Sequence, residues 1–393
     1  MQKIILYVFA FSTLLFLSNC VLSKEIKVNK FYRKNATSVK KELFREEIGF
    51  ELVDNLIILP VKIKNETYNF ILNTGFTSSI SKDLQHKLGY QNISDFDTTG
   101  TIVPKITIGK IDFTNTLSII IPTDTFGCKV IHGCIGANLM QKAIWKIDYG
   151  KQKIIFTNYR DSLQKAEVQS IDFQTMPNGT PYSMLYFSPD QYSPVAFVTG
   201  ERHAFCFSNG ITEFLPSNQK YQKHYTYYGK KVNIDTAQYT LAPYMRFENG
   251  LIFKNLRTNF QQKNKGEYSG AIGYQFFKNY ITTIDWSLKK ITLQDAYKSN
   301  LYDERFGFYV YYHDKKVVIS VIYKKMPAME AGLHLTDEVL NMDNLNFENM
   351  TREQFCDSIV DIIKILEKDE ITLKVKQKDI IKTVILKKKK IDF

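Results

Sequence analysis

The sequence predicts a mainly β chain, with two β-barrel lobes in tandem followed by an α+β module. Three observations carry this reading. A segment recurs without a gap. Its first copy is Cys134-Ile135-Gly136-Ala137-Asn138-Leu139-Met140, running on to Ile147-Asp148-Tyr149 and Lys153-Ile154. Its second is Ala271-Ile272-Gly273-Tyr274-Gln275-Phe276-Phe277, running on to Ile284-Asp285-Trp286 and Lys290-Ile291. Upstream of each copy an apolar pair precedes x-Thr-Gly, in Ile71-Leu72-Asn73-Thr74-Gly75 and Ala196-Phe197-Val198-Thr199-Gly200. From about residue 303 the chain resembles neither copy.

Each copy reads as a short strand, an Ile-Gly turn, a helix of one to two turns and a β-hairpin with alternating apolar residues. A middle hairpin precedes it, at Thr99–Asn115 in copy one and Gln238–Asn259 in copy two. A glycine in each turn favours antiparallel pairing. A repeat of this length marks a duplicated domain and not a solenoid unit.

Length and composition agree. The chain has 393 residues, 44% of them apolar, with 28 Phe and 24 Tyr, which is enough for two or three domains with real cores. The formal charge is +12, part of it in the tail Lys387-Lys388-Lys389-Lys390. No nucleic-acid-binding module accompanies that excess. It reads as a solvated basic surface, with weak attraction to an anionic membrane as the other reading.

The N-terminus reads as a targeting segment. Residues 1–19 form a signal peptide, in which Lys3 precedes an apolar run, Ile4–Leu17, too short for a membrane span. Leu17-Ser18-Asn19-Cys20 resembles a bacterial lipobox. That resemblance implies lipidation of Cys20 and a place in the cell envelope, periplasmic or as an outer-membrane lipoprotein. Asn19 departs from the usual small residue, so cleavage near Ser23 and secretion is the alternative. Export permits disulfides. Cys128 and Cys134 are spaced to pair across a short loop, while the other reading leaves Cys128, Cys134, Cys206 and Cys356 as thiols. Their spacing offers no zinc motif, and neither a metal nor a cofactor is expected. The sequons at Asn35, Asn65, Asn92, Asn178 and Asn349 read as chance in an Asn-rich chain.

The order of strand, x-Thr-Gly loop, hairpin, Ile-Gly and helix resembles retropepsin-like aspartic proteases, in particular bacterial forms with two lobes in one chain. The resemblance implies lobes at 48–157 and 180–298, after a linker at 20–47 and joined by a connector at 158–179. It implies that Thr74 and Thr199 bond across between the loops, that Gly75 and Gly200 allow tight turns, and that Ile135-Gly136 and Ile272-Gly273 pack beneath them. Two lobes in one chain remove the need for an obligate dimer. The departures fall on the two acids: Asn73 and Val198 stand where the family has catalytic Asp. Two carboxylates sharing a proton are what that chemistry requires. Asn73 is no base near neutral pH, and Val198 neither accepts nor donates a proton. Asp235, in Ile234-Asp235-Thr236-Ala237, echoes Asp-Thr-Gly and is the alternative second site. Glu201-Arg202-His203 reads as new ligands for a bound partner, as a crude acid/base pair, or as a drifting surface turn. Cys134 and His132 have the atom types of a nucleophile pair, although Cys134 aligns with Ala271, a packing position.

Residues 303–393 carry Met326-Pro327-Ala328-Met329-Glu330-Ala331-Gly332-Leu333 and then Asp337-Glu338-Val339-Leu340. This resembles a PDZ domain. The resemblance implies that Phe306, Gly307, Phe308 and Tyr309 form the loop whose amides cradle a terminal carboxylate. Thr351 and Gln354 form a capping box opening a helix to about Leu366, with Phe355, Ile359, Ile362 and Ile363 on its apolar face. Three functions follow as expectations. The first is a pseudoprotease that binds polypeptides or C-terminal peptides in the cell envelope without cutting them. The others are an active aspartic-type peptidase with an unorthodox site, and a PDZ-based interaction module on a structural platform.

Overall fold

The computed structural model describes residues 31–32, 36–39, 42–95, 98–126, 128–163, 169–208, 222–226, 235–242, 244–254, 256–261, 270–297 and 304–390. The signal segment and Cys20 lie outside them. The protein is mainly β, with curled, barrel-like sheets, as the sequence predicts. Its contacts divide into two compact units. One holds residues 1–183, 196–200 and 280–295; the other holds 184–195, 201–279 and 296–393.

In the first unit, β1 (Arg45–Gly49) is followed by β2 (Leu56–Ile63) and β3 (Glu66–Asn73), an antiparallel hairpin buried continuously at Leu56–Leu59 and alternately along the rest of β2 and the second half of β3. Next come β4 (Ser79–Ser81), α1 (Lys82–Leu88) and the long hairpin β5 (Thr98–Ile108) and β6 (Ile111–Ile121). Ser81 caps α1 by accepting the Leu84 N–H, and Gly89 closes it in the left-handed region. Then β7 (Gly133–Gly136) inserts between β3, to which it runs parallel, and β4. The short helix α2 (Ala137–Met140) and the hairpin β8 (Ile144–Asp148) and β9 (Lys153–Thr157) complete the copy. Trp145 stacks on Phe156 at 4.8 Å, with Phe44 and Phe113 against the same ring, so the core sits under this hairpin.

The second copy repeats the plan with β10 (Gln169–Asp172), β11 (Pro181–Tyr186), β12 (Tyr192–Phe197), β13 (Phe205–Ser208), β14 (Gln222–Thr226), β15 (Asp235–Ala242), β16 (Leu256–Gln261), β17 (Gly270–Ile272), α3 (Tyr274–Phe277), and the hairpin β18 (Tyr280–Asp285) and β19 (Lys290–Asp295). The closing hairpins of the two copies meet edge to edge: β8 pairs with β18, Trp145 opposite Ile284. The result is a six-stranded sheet in the order β10-β19-β18-β8-β9-β1, pseudo-twofold about the β8–β18 seam. Its outer strand β1 crosses the boundary read from sequence between linker and first lobe, and β10 comes from the stretch read as connector. The second unit has an aromatic core in which Phe276 meets Phe205 and Phe253, and Phe247 meets Phe253.

The C-terminal module contains β20 (Phe308–His313), β21 (Lys316–Tyr323), α4 (Pro327–Glu330), β22 (Glu338–Met342), α5 (Arg352–Asp357), α6 (Ile359–Glu367), β23 (Glu370–Gln377) and β24 (Ile380–Lys387). Its sheet runs on into the second copy: β14 pairs with β21, Tyr225 opposite Ile322, and the His224 ring stacks on Tyr323 at 5.1 Å. The expected capping box at Thr351 and Gln354 is present. The single expected helix is two, however. Ser358 turns its hydroxyl onto the Phe355 carbonyl, a side-chain bond that competes with helical continuation, and the chain restarts as α6. With that break Phe355 and Ile362 stay buried but Ile363 is 53% exposed, which corrects its place on the buried face.

Candidate functional site

β3 ends on Asn73 and β12 ends just before Val198, which sets the two x-Thr-Gly loops against each other. The threonines exchange hydrogen bonds. The Thr74 N–H donates to Thr199 Oγ1 at 3.1 Å, and the Thr199 N–H donates to Thr74 Oγ1 at 3.0 Å. Each hydroxyl then donates to the opposite strand, Thr74 to the Phe197 carbonyl at 2.5 Å and Thr199 to the Leu72 carbonyl at 2.9 Å. Both threonines are buried. Val198 is buried as well, and Asn73 is half-buried.

The glycines are required by this approach. A Cβ on Gly75 would lie 2.6 Å from both Val198 methyl carbons, and one on Gly200 would lie 2.4 Å from the Asn73 amide carbon. Asn73 and Val198 therefore each rest on the glycine of the opposite loop. Asn73 Oδ1 also accepts the Gly75 N–H at 2.9 Å. Beneath the loops the Ile-Gly turns leave no room for a side chain. A Cβ on Gly136 would fall 2.2 Å from the Ser78 nitrogen, and one on Gly273 would fall 2.2 Å from the Glu201 oxygen. Asn138 ties the first loop down by accepting the Ser78 N–H at 2.7 Å and donating to the Leu117 carbonyl at 2.8 Å.

Neither facing position holds a carboxylate, so the pair has no group that takes a proton from water near neutral pH. The alternative acid does not supply one. The partner of Thr74 is Thr199, whereas Asp235 opens β15 opposite Thr226. Asp148 and Asp285 hold turns. Asp285 accepts from the Ser287 and Leu288 N–H groups and pairs with Arg160 at 2.8 Å.

His132 and Cys134 form no nucleophile pair. His132 Nδ1 accepts the Asn69 N–H at 3.3 Å, and burial holds its pKa below the ordinary value. Cys134 is fully buried, and burial pushes its thiol up. Nor does Cys134 pair with Cys128: Cys134 and Cys206 carry no disulfide, while Cys128 and Cys356 are each held in one. This corrects both cysteine readings of the sequence.

Immediately after the second loop, Glu201, His203 and Cys206 bring a carboxylate oxygen, an imidazole nitrogen and a sulfur within 4.8 Å of one another. Among the described residues this is the group whose donor atoms fit a metal ion. The sequence marked Glu201 and His203 but missed Cys206 and its neighbour Asn259, because only strand pairing brings them together.

In the C-terminal module, Phe306 and Phe308 are buried and Tyr309 is 40% exposed. Gly307 has φ +85°, and a Cβ there would fall 2.2 Å from Met326 Cβ. The Phe306 carbonyl accepts the Ala328 N–H and the Gly307 carbonyl accepts the Tyr323 N–H, both at 2.9 Å. In a planar trans peptide the next N–H points the opposite way. The amides of Gly307 and Phe308 therefore face away from α4 and β21. Among the described residues β20 pairs with β21 alone, while Tyr312 of β20 meets Phe355 of α5 at 5.9 Å. A strand edge thus runs beside α5, and α6 follows after the break at Ser358 with Val360 61% exposed.

No family profile matches the chain, and none of the curated proteins compared with it does. Among solved structures, basic 7S globulin from soybean aligns over 65% of this chain and 95% of its own, at 8% identity and a TM-score of 0.39. A likeness of that degree carries no functional weight.

Proposed function

We propose that this protein is an exported pseudoprotease, an aspartic-protease-shaped platform that holds polypeptide without cutting it and carries a PDZ-type groove for C-terminal peptides. The observation that carries the reading is the pair of loops locked by Thr74 and Thr199, with Asn73 and Val198 at the acid positions. The shape-forming residues persist and the proton-transferring ones do not. Losing one general acid or base typically costs 10²–10⁴-fold in rate, and here both are gone.

The C-terminal loop supports the second half of the proposal. Backbone N–H groups turned outward beside a strand edge are what strand addition and carboxylate capture need. Arg305 lies 6.0 Å from the Tyr309 ring and Lys388 lies 5.8 Å from the Phe306 ring, which puts positive charge near that loop. Export is in keeping with the disulfide-bonded Cys128 and Cys356.

The test is to restore the acids. Wild-type protein is expected to leave an unfolded casein-like substrate intact from pH 3 to 8. Asn73→Asp together with Val198→Asp is expected to cleave it slowly with an acid optimum, because two facing carboxylates share one proton. Cleavage by wild-type protein that is lost in Asn73→Ala would return the reading to an active peptidase.

A further inference from the structure

We propose that Glu201, His203 and Cys206 form a binding site for a divalent transition-metal ion, zinc by preference. His203 Nδ1 already lies 2.7 Å from Glu201 Oε1, and the three donor atoms span no more than 4.8 Å. Metal–ligand bonds of about 2.0–2.3 Å at tetrahedral angles put donors roughly 3.3–3.8 Å apart, so binding would open the His203–Glu201 contact by about 1 Å. A thiolate, an imidazole and a carboxylate together select zinc or its neighbours over magnesium or calcium, which take oxygen alone. Access comes from one side: the Glu201 and His203 side chains keep 16% and 22% exposure, while Cys206 is buried.

A second observation points to the same place. Asn259 is 1% exposed, and neither its Oδ1 nor its Nδ2 has a hydrogen-bond partner. It stands directly opposite Cys206 in the parallel β13–β16 pair, so the two side chains share a sheet face. An orphan amide in that position is costly. The ion would be met by the amide oxygen, and a water carried by the ion would accept from the amide nitrogen.

The internal repeat serves as a control. Cys206 pairs with Ala271 as Ser79 pairs with Cys134, so Cys206 matches Ser79. Across the parallel pairs Asn259 then matches Ile119. The Glu201 carbonyl accepts from Tyr274 as the Phe76 carbonyl accepts from Ala137, so Glu201 matches Phe76. Three steps separate Phe76 from Ser79 and five separate Glu201 from Cys206. Copy two thus has two extra residues in this turn, and they fold His203 back onto Glu201. Where copy one has Phe, Ser and Ile, copy two has Glu, Cys and Asn, with a histidine brought in by the insertion.

Binding would release the Cys206 thiol proton, so affinity falls as the pH is lowered. Cobalt(II) is the probe, titrated into the full-length protein with a reductant that does not bind metals. The expected result is a sulfur-to-cobalt charge-transfer band that saturates at one equivalent and disappears when zinc is added. Cys206→Ser should remove the band. His203→Gln, Glu201→Gln and Asn259→Ile should each weaken cobalt binding about tenfold or more while keeping the wild-type circular dichroism. Absence of the band in wild-type protein, or its persistence in Cys206→Ser, overturns the proposal. If Cys206→Ser does not fold, unchanged affinity in both His203→Gln and Glu201→Gln overturns it equally, leaving their ion pair as a turn closure alone.

Discussion

At the scale of single residues, Thr74 and Thr199 join the two loops. Each hydroxyl accepts one N–H and donates to one carbonyl, and all four groups are removed from water. Valine keeps the shape and deletes the hydroxyl. Thr199→Val would leave the Thr74 N–H and the Leu72 carbonyl without those partners. The expected loss is about 2–4 kcal/mol, from an unsatisfied buried group costing roughly 1–3 kcal/mol each. Urea unfolding of the variant checks it. Thr74→Val with Thr199→Val should cost less than the sum of the singles, since losing one hydroxyl's two bonds already loosens the loop contact that holds the other two. Full additivity would mean that the exchange in the two directions is energetically independent.

Among the elements, glycine positions separate two kinds of constraint. Gly250 has φ +88° with nothing within 4 Å of its missing Cβ, whereas Gly307 has φ +85° and Met326 at 2.2 Å. Gly250→Ala is expected to cost about 1 kcal/mol, the backbone penalty alone. Gly307→Ala adds a clash with Met326 and should cost about 3 kcal/mol, combining that penalty with overpacking. It should also weaken binding of a C-terminal peptide, read by fluorescence anisotropy, whereas Gly250→Ala should not. The sequence made such turns legible, because Thr and Gly in both loops and Pro327 with Gly332 in the module state local geometry directly. It did not make visible the break at Ser358, where a hydroxyl chooses the Phe355 carbonyl over solvent. It also hid the pairing of Cys206 with Asn259, residues 53 positions apart that only the β13–β16 register joins. Asn73 and Val198 in the two x-Thr-Gly loops were legible, as were Glu201 and His203 as ligand candidates; Cys206 was not, because a two-residue insertion carries no signature until the registers of the two copies are compared.

On the scale of the whole molecule, the six-stranded sheet explains why two lobes share one chain. β8 and β18 come from different copies, yet Trp145 through Asp148 pair with Ile284 down to Ile281 along the full seam. A copy cut off at that seam would present an unpaired strand edge, which seeks another strand. It would also lose the partner of Thr74. A fragment spanning residues 36–163 keeps β1, β8, β9 and the first loop. Its own β8 is the nearest available match for β18, since the two strands are related by the repeat. The fragment is therefore expected to associate with itself, and to do so through the same edge. Analytical ultracentrifugation should find the fragment dimeric. Ile147→Pro within β8 should return it to monomer by removing an N–H from the seam, where Ile147 stands opposite Thr282, because proline cannot donate to a ladder. A wild-type fragment that stays monomeric and folded would show that copy one closes its own edge, and that the second copy was joined for its loop and not for its sheet.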